Sequence, residues 1–229
     1  MPAITTGLTS AAKAMLNALA IALALPAAGL CRLEIACRPG AEGLYTFWAQ
    51  AYALLPGTAG MFLRRGFYRL TLKQCASDCF IGFGAVLAHR ENRIGSRVYI
   101  GPFALIGSAD LGDRSMVGSR ASLLSGCRQH EPLAIGGWSA CNQSRLQCIR
   151  IGRDVWIGEA AVVMADVGEG AQIAAGAVVS SRVPPDLLVA GNPARYVRRL
   201  RPDGEAVFPR LHGHEEGATS PAAITHGRQ

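Results

Sequence analysis

Lysine is nearly missing from this 229-residue sequence: Lys13 and Lys73 are the only two, and arginine supplies the other 21 of the 23 basic residues. Charge is sparse as well, at 17% of residues against 50% apolar. A disordered chain or a coiled coil needs far more charge, so both are excluded. The seven cysteines (Cys31, Cys37, Cys75, Cys79, Cys127, Cys141 and Cys148) include no CxxC pair. An odd set without that spacing fits neither a disulfide framework nor a zinc ribbon. Reduced thiols in a reducing compartment are the simpler reading, and no metal is expected. The 27 glycines follow no three-residue period, which excludes collagen. The net charge of +7 comes without interleaved aromatics or a recognisable module, so no nucleic-acid partner is expected.

What the chain does have is three zones. Residues 14–31 (AMLNALAIALALPAAGLC) carry no charge and are nearly all apolar, long enough for a helix across a bilayer. A second uncharged run, 43–63 (GLYTFWAQAYALLPGTAGMFL), is interrupted by Pro56-Gly57. The basic stretch RRGFYRLTLK follows at 64–73. Beside an apolar segment, such a stretch favours an anionic membrane surface by about 1 kcal/mol per charge. The expectation is a helical, membrane-associated segment over 1–78. A cleaved signal peptide over 1–31 and a soluble helical domain are the alternatives. Residues 201–229 lose all pattern and read as a flexible tail, His212 and His214 included.

The middle zone is repetitive. Between 81 and 180, ten of fifteen glycines directly follow Ile, Leu or Val, and steps of six recur: IGSRVY, IGPFAL, then IGRDVW, IGEAAV. A period of six matches neither 3.6 nor simple alternation, and is the mark of a parallel β-helix built from hexapeptides. Position one points into a narrow prism. Position five (Val98, Ala104, Ser115, Ala121, Val155, Ala161, Ala171, Ala177) is small and fits near the corner. Glycine at position two is expected to let the backbone turn without a Cβ clash. Three hexapeptides close one coil, and coils pair as parallel strands about 4.8 Å apart. The period breaks between 123 and 150, which predicts a loop projecting from the prism, so the β-helix domain is expected over 79–200.

The stretch RIGRDVWIGEAAVVMADVGEGAQIAAGAVVSSRVPPDLLVAGNPARYVRRL at 150–200 resembles the hexapeptide-repeat acyltransferases. The resemblance covers about 81–200 and implies a left-handed parallel β-helix, a homotrimer and acyl transfer from acetyl-CoA. More narrowly, LLPGTAGMFLRRGFYRLTLKQC and LLSGCRQHEP are similar to bacterial surface-polysaccharide O-acetyltransferases. That similarity implies a sugar or polysaccharide-precursor acceptor, at the cytoplasmic side of the inner membrane where acetyl-CoA is found.

Transfer from a thioester to a hydroxyl needs a base for the proton and donors for the oxyanion. Histidine titrates nearest neutrality, and outside the tail only His89 and His130 exist. His130 lies in the interruption, at the position that holds the catalytic histidine in similar acetyltransferases, and is the candidate general base. His89, two coils earlier, reads as a substrate contact. Glu131 adjoins His130, and Asp110 or Asp113 on an earlier coil are candidates to orient it. Cys127 is read as an inert thiol, because the resemblance implies direct transfer without an acyl-enzyme. Trp156 is expected to point outwards and wall the donor site. Gly158, Ala160, Ala175 and Gly176 would let the pantetheine arm lie along the coil, and Arg182, Arg195 and Arg199 are candidates for the CoA phosphates. Competing functions are acetylation of a small molecule such as serine or an antibiotic, and a non-catalytic scaffold. A carbonic-anhydrase-like zinc site would need a third histidine.

Overall fold

The structure is a computed structural model that describes residues 10–125, 133, 135–139 and 146–200. His130, Glu131, Cys127 and the tail from 201 lie outside the described residues. Three helices come first: α1 (Ser10–Cys37), α2 (Gly43–Ala53) and α3 (Gly57–Thr71). Alanine and leucine dominate α1, as suits a long helix. Pro56-Gly57 divides α2 from α3, where the second apolar run was expected to break.

Short strands follow in three parallel sheets. One sheet joins β1 (Gln74–Cys75), β4 (Arg93–Ile94), β7 (Ala109–Leu111) and β10 (Ile149–Ile151). A second joins β2 (Phe80–Ile81), β5 (Tyr99–Ile100), β8 (Met116–Val117), β11 (Trp156–Ile157), β13 (Gln172–Ile173) and β15 (Leu187–Ala190). The third joins β3 (Val86–Leu87), β6 (Leu105–Ile106), β9 (Ser122–Leu123), β12 (Val162–Val163) and β14 (Val178–Val179). The first four coils each give one strand to each sheet, and the fifth joins the first sheet only through the isolated bridge of Val167 to Ile151, so the third sheet's five strands mark five coils. The last strand, β16 (Arg195–Arg199), folds back antiparallel on β15.

The hexapeptide reading holds at the level of single residues. Position-one residues such as Ile94, Ile100, Ile157 and Ile173 are fully buried, and all eight position-five residues are buried beneath them. One expectation changes. The left-handed backbone sits at position four, with φ between 54° and 59° at Arg97, Phe103, Arg114, Arg120, Asp154, Ala160 and Asp186. Position-two glycines serve the stacking instead. A Cβ on Gly101 would lie 2.6 Å from the Ser119 amide nitrogen, and one on Gly158 would lie 2.4 Å from that of Ala175. The coils stack too closely there for any side chain.

Along the second sheet, Phe80 sits opposite Tyr99, Tyr99 opposite Met116, Trp156 opposite Gln172 and Gln172 opposite Leu188. These steps are 16 to 19 residues. From Met116 to Trp156 the step is 40, so the sequence interruption is an insertion into one coil. The first coil begins at Gln74, ahead of the start expected at 79, because its β1 residues lack the Ile-Gly signature.

The three helices close the N-terminal end of the prism. A first coil has no preceding coil to pair with, and unpaired buried backbone groups are costly. Side chains supply the partners. Arg64 donates from Nε to the Ile81 carbonyl at 3.1 Å, and Arg65 donates to that of Cys79 at 2.8 Å. The Tyr45 hydroxyl donates to the Leu87 carbonyl at 2.8 Å, and the Leu87 amide donates to the Tyr68 hydroxyl at 3.1 Å. The 43–63 run is partly internal: α2 and α3 bury Tyr45, Tyr52, Met61 and Phe62 against the protein, while Phe47 and Leu54 are exposed. In the basic stretch Arg64 and Arg65 are buried rather than on the surface, while Arg69 is exposed and Lys73 pairs with Glu91 at 2.7 Å.

Helix α1 packs beside α3 through small residues. Ala20, Ala24, Ala27, Ala28 and Cys31 are buried, and a Cβ on Gly66 would meet the Ala20 carbonyl oxygen at 2.8 Å. On the opposite face Met15, Leu19, Leu23, Leu30 and Leu33 are exposed. Residues Ala11–Cys37 are long and apolar enough to cross a membrane by length and composition.

Candidate functional site

The register of the second sheet aligns the outward side chains of Tyr99, Met116, Trp156, Gln172 and Leu188 into one column. Position six of the hexapeptide faces outwards, which is why Trp156 is 47% exposed on a coil whose inward residues are aliphatic. Beside the column runs a groove of about 480 Å³, floored by Gly118, Gly158, Ala174 and Ala175. Small floor residues under an aromatic wall suit a thin, flexible arm. Trp156, Gly158 and Ala175 are thus together as expected.

Ala160 and Gly176 are placed differently. Both are left-handed corner residues, and neither lines the groove. Their amides are already engaged: Ala160 donates to the Ser119 carbonyl at 3.0 Å and Gly176 to that of Glu159 at 2.8 Å. The Gly158 amide likewise donates to the Ile173 carbonyl at 2.8 Å. Stacked coils consume these donors, so they are not available to a pantetheine arm.

Arg182 and Arg195 share a hollow of about 260 Å³ with Tyr196 that has no lining residue in common with the Trp156 groove. They meet because β16 folds back along the last coil. Arg199, opposite Leu187 on the same strand, does not line that hollow.

At the corner between the third and first sheets, His89 is drawn to the helices. Its Nδ1 lies 2.7 Å from Oε2 of Glu42, at the start of α2, and both side chains are largely buried. The other carboxylate oxygen of Glu42 accepts from the Arg90 amide at 3.0 Å. Burial pushes the Glu42 carboxyl up, but the hydrogen bonds from His89 and the Arg90 amide outweigh it and hold it below its ordinary value. Asp113 is engaged at another corner, accepting from the Ser96 amide at 2.8 Å through Oδ1. Asp110 lies mid-strand in β7, opposite Arg93 and Arg150. Both reside on the insertion's preceding coil, and Asp113 already has a structural partner.

Sequence reasoning missed Glu42 and the capping arginines. Nothing local links Glu42 to His89, 47 positions away. Among the described residues no group of three His, Cys, Asp or Glu gathers as a metal site. Cys75 and Cys79 bring their sulfurs within 3.7 Å of each other, without a third ligand.

No family model matches the chain. A chloramphenicol acetyltransferase of Agrobacterium fabrum is 47% identical over 51 residues, which is 21% of this chain and 24% of that protein. A probable macrolide acetyltransferase of Lysinibacillus sphaericus is 40% identical over 60 residues, 25% of this chain and 33% of that protein. The chain thus spans about a quarter to a third of the length of the curated relatives it matches. Among solved structures, a maltose O-acetyltransferase from Clostridium difficile superposes with a TM-score of 0.59 at 17% identity, over 69% of this chain and 85% of that one. A galactoside acetyltransferase in complex with coenzyme A gives 0.55 at 17% identity, over 79% and 96%. A hexapeptide-repeat acetyltransferase of Vibrio cholerae complexed with acetyl-coenzyme A gives 0.51 at 21% identity, over 78% and 88%. The chain therefore has the left-handed, hexapeptide-repeat β-helix fold of these acetyltransferases.

Proposed function

We propose that this protein is an acetyl-CoA-dependent O-acetyltransferase acting on a hydroxyl of a sugar or polysaccharide precursor. The observation that carries the reading is the apolar groove beside Trp156, floored by Gly158 and Ala175, on a fold shared with proteins solved with coenzyme A. The pantetheine arm would lie in this groove, and Arg182 with Arg195 are the cations available for phosphates beyond it.

In the reaction, His130 as general base takes the acceptor hydroxyl proton while the oxygen attacks the thioester carbonyl. The C–S bond breaks, the acetyl ester forms, and the thiolate takes up a proton to leave as free CoA. The Trp156 groove lies along the second sheet, whereas His89 lies at the corner between the third and first sheets, and the insertion falls in the chain between β9 of the third sheet and β10 of the first. Sites on different sides of one prism meet most simply between protomers, which supports a homotrimer.

Helix α1 supports a peripheral membrane placement. Its outer face is apolar, while its inner face is tied to the protein near both ends: Asn17 accepts from Arg65 at 2.6 Å, and Glu34 accepts from the Leu44 amide at 2.9 Å. A helix held along its length suits lying in the plane of a bilayer, on the cytoplasmic side of the inner membrane where acetyl-CoA is available.

The test is CoA release by the purified full-length protein with uncharged saccharides as acceptors. His130→Ala is expected to slow release at least about 100-fold without loss of CoA binding. Unchanged release in that variant, or no CoA binding by the wild type, overturns the reading. The names of the two curated relatives favour a second reading, an antibiotic-type small acceptor. Chloramphenicol acetylated faster than any saccharide would select it.

A further inference from the structure

A hollow of about 520 Å³ lies where the helices meet the coils, between Glu42, Lys73, His89, Arg90 and Glu91. It shares no lining residue with the Trp156 groove. A hollow of this size accommodates a mono- or disaccharide.

Its charge is internally balanced. Lys73 is paired with Glu91 at 2.7 Å, and the Arg90 guanidinium lies 3.7 Å from Glu42 while also donating to the carbonyls of Ala41 and Cys31. With each cation already matched to a carboxylate, the hollow offers little to a phosphate. What it offers is hydrogen-bonding capacity beside apolar surface from Ile35, Leu72 and Leu146. That mixture matches a carbohydrate, which presents hydroxyls at its edges and C–H groups on its faces.

His89 sharpens the match. A carboxylate only accepts, so Nδ1 bonded to Glu42 carries a proton, and Nε2 is the ring atom left to meet a ligand. Among the described residues the ring has no other hydrogen-bond partner. Glu42, held in turn by the Arg90 amide, fixes the ring's orientation.

We infer that this hollow is the acceptor site, that it receives an uncharged carbohydrate, and that Nε2 of His89 hydrogen-bonds one of its hydroxyls. The inference rests on the acetyltransferase reading and specifies its acceptor side. His89 binds and orients here, and Glu42 positions His89.

The test uses the full-length protein with maltose, methyl β-galactoside and N-acetylglucosamine as probes, read by saturation-transfer NMR. At least one probe is expected to bind, and inorganic phosphate is not expected to displace it. Two variants separate site from fold. His89→Ala removes the ring nitrogen that meets the sugar, and Ile35→Trp fills the hollow from the exposed helix side without touching the Glu42–His89 pair. Each is expected to weaken probe binding about tenfold or more and to raise the acceptor KM in proportion, leaving the KM for acetyl-CoA unchanged. Binding unaltered in both variants, displacement by phosphate, or no binding of any probe overturns the inference. Loss of CoA binding by the wild type would instead overturn the acetyltransferase reading while leaving the probe measurements intact.

Discussion

Arg64 donates from Nε to the carbonyl of Ile81 at 3.1 Å while only 1% exposed, so a guanidinium closes the open end of a β-helix. Its Nη1 reaches the carbonyl of Leu55 at 2.5 Å, binding the α2–α3 turn to the same coil. A charge buried against carbonyl oxygens is stabilising only while those bonds persist.

Arg64→Leu is therefore expected to lower stability by about 3 kcal/mol, because several buried carbonyls lose their donor. Arg69→Ala, on the same helix but exposed, should stay within about 0.5 kcal/mol. Urea denaturation of both variants checks the contrast. Equal effects would contradict a capping role.

The two special positions of the hexapeptide make opposite predictions. Gly101→Ala places a Cβ against the Ser119 backbone and should cost about 1–3 kcal/mol. Ala160→Gly relieves a left-handed residue at φ 54° and should be neutral or slightly stabilising. Thermal melts of the pair test whether stacking distance, rather than turning, demands glycine at position two.

Acid should loosen the helix–coil junction. Glu42 titrates below its ordinary value of 4.5 in the folded protein, so its contribution is complete above that value. It fades as pH falls through and below it. Urea midpoints measured from pH 7 down to pH 3 should decline less steeply in Glu42→Gln, from a lower starting stability at pH 7.

Membrane attachment through the outer face of α1 predicts that the protein floats with lipid vesicles. Leu19→Glu with Leu23→Glu, two exposed positions on that face, should abolish flotation and leave the melting temperature nearly unchanged. Flotation that survives both substitutions would exclude this face as the contact.

The repeat was legible because each hexapeptide solves its packing locally: Ile157 points inward, Gly158 allows the next coil to approach, and Trp156 points outward, whatever the distant chain does. Insertion into one coil was legible for the same reason, as a gap in the period. The basic stretch misled, since charge in sequence says nothing of burial. Arg64 and Arg65 look like surface residues until a coil edge with unsatisfied carbonyls is placed beside them.

Sequence alone determined the coil, its inward residues and the aromatic wall of the groove, because these depend on neighbours within one or two hexapeptides. Tertiary structure decided the pairing of Glu42 with His89, the burial of the arginines and the separation of Arg182 from the Trp156 groove. Those outcomes depend on where helices dock and where the last strand folds back, contacts between residues far apart in the chain that no local period encodes.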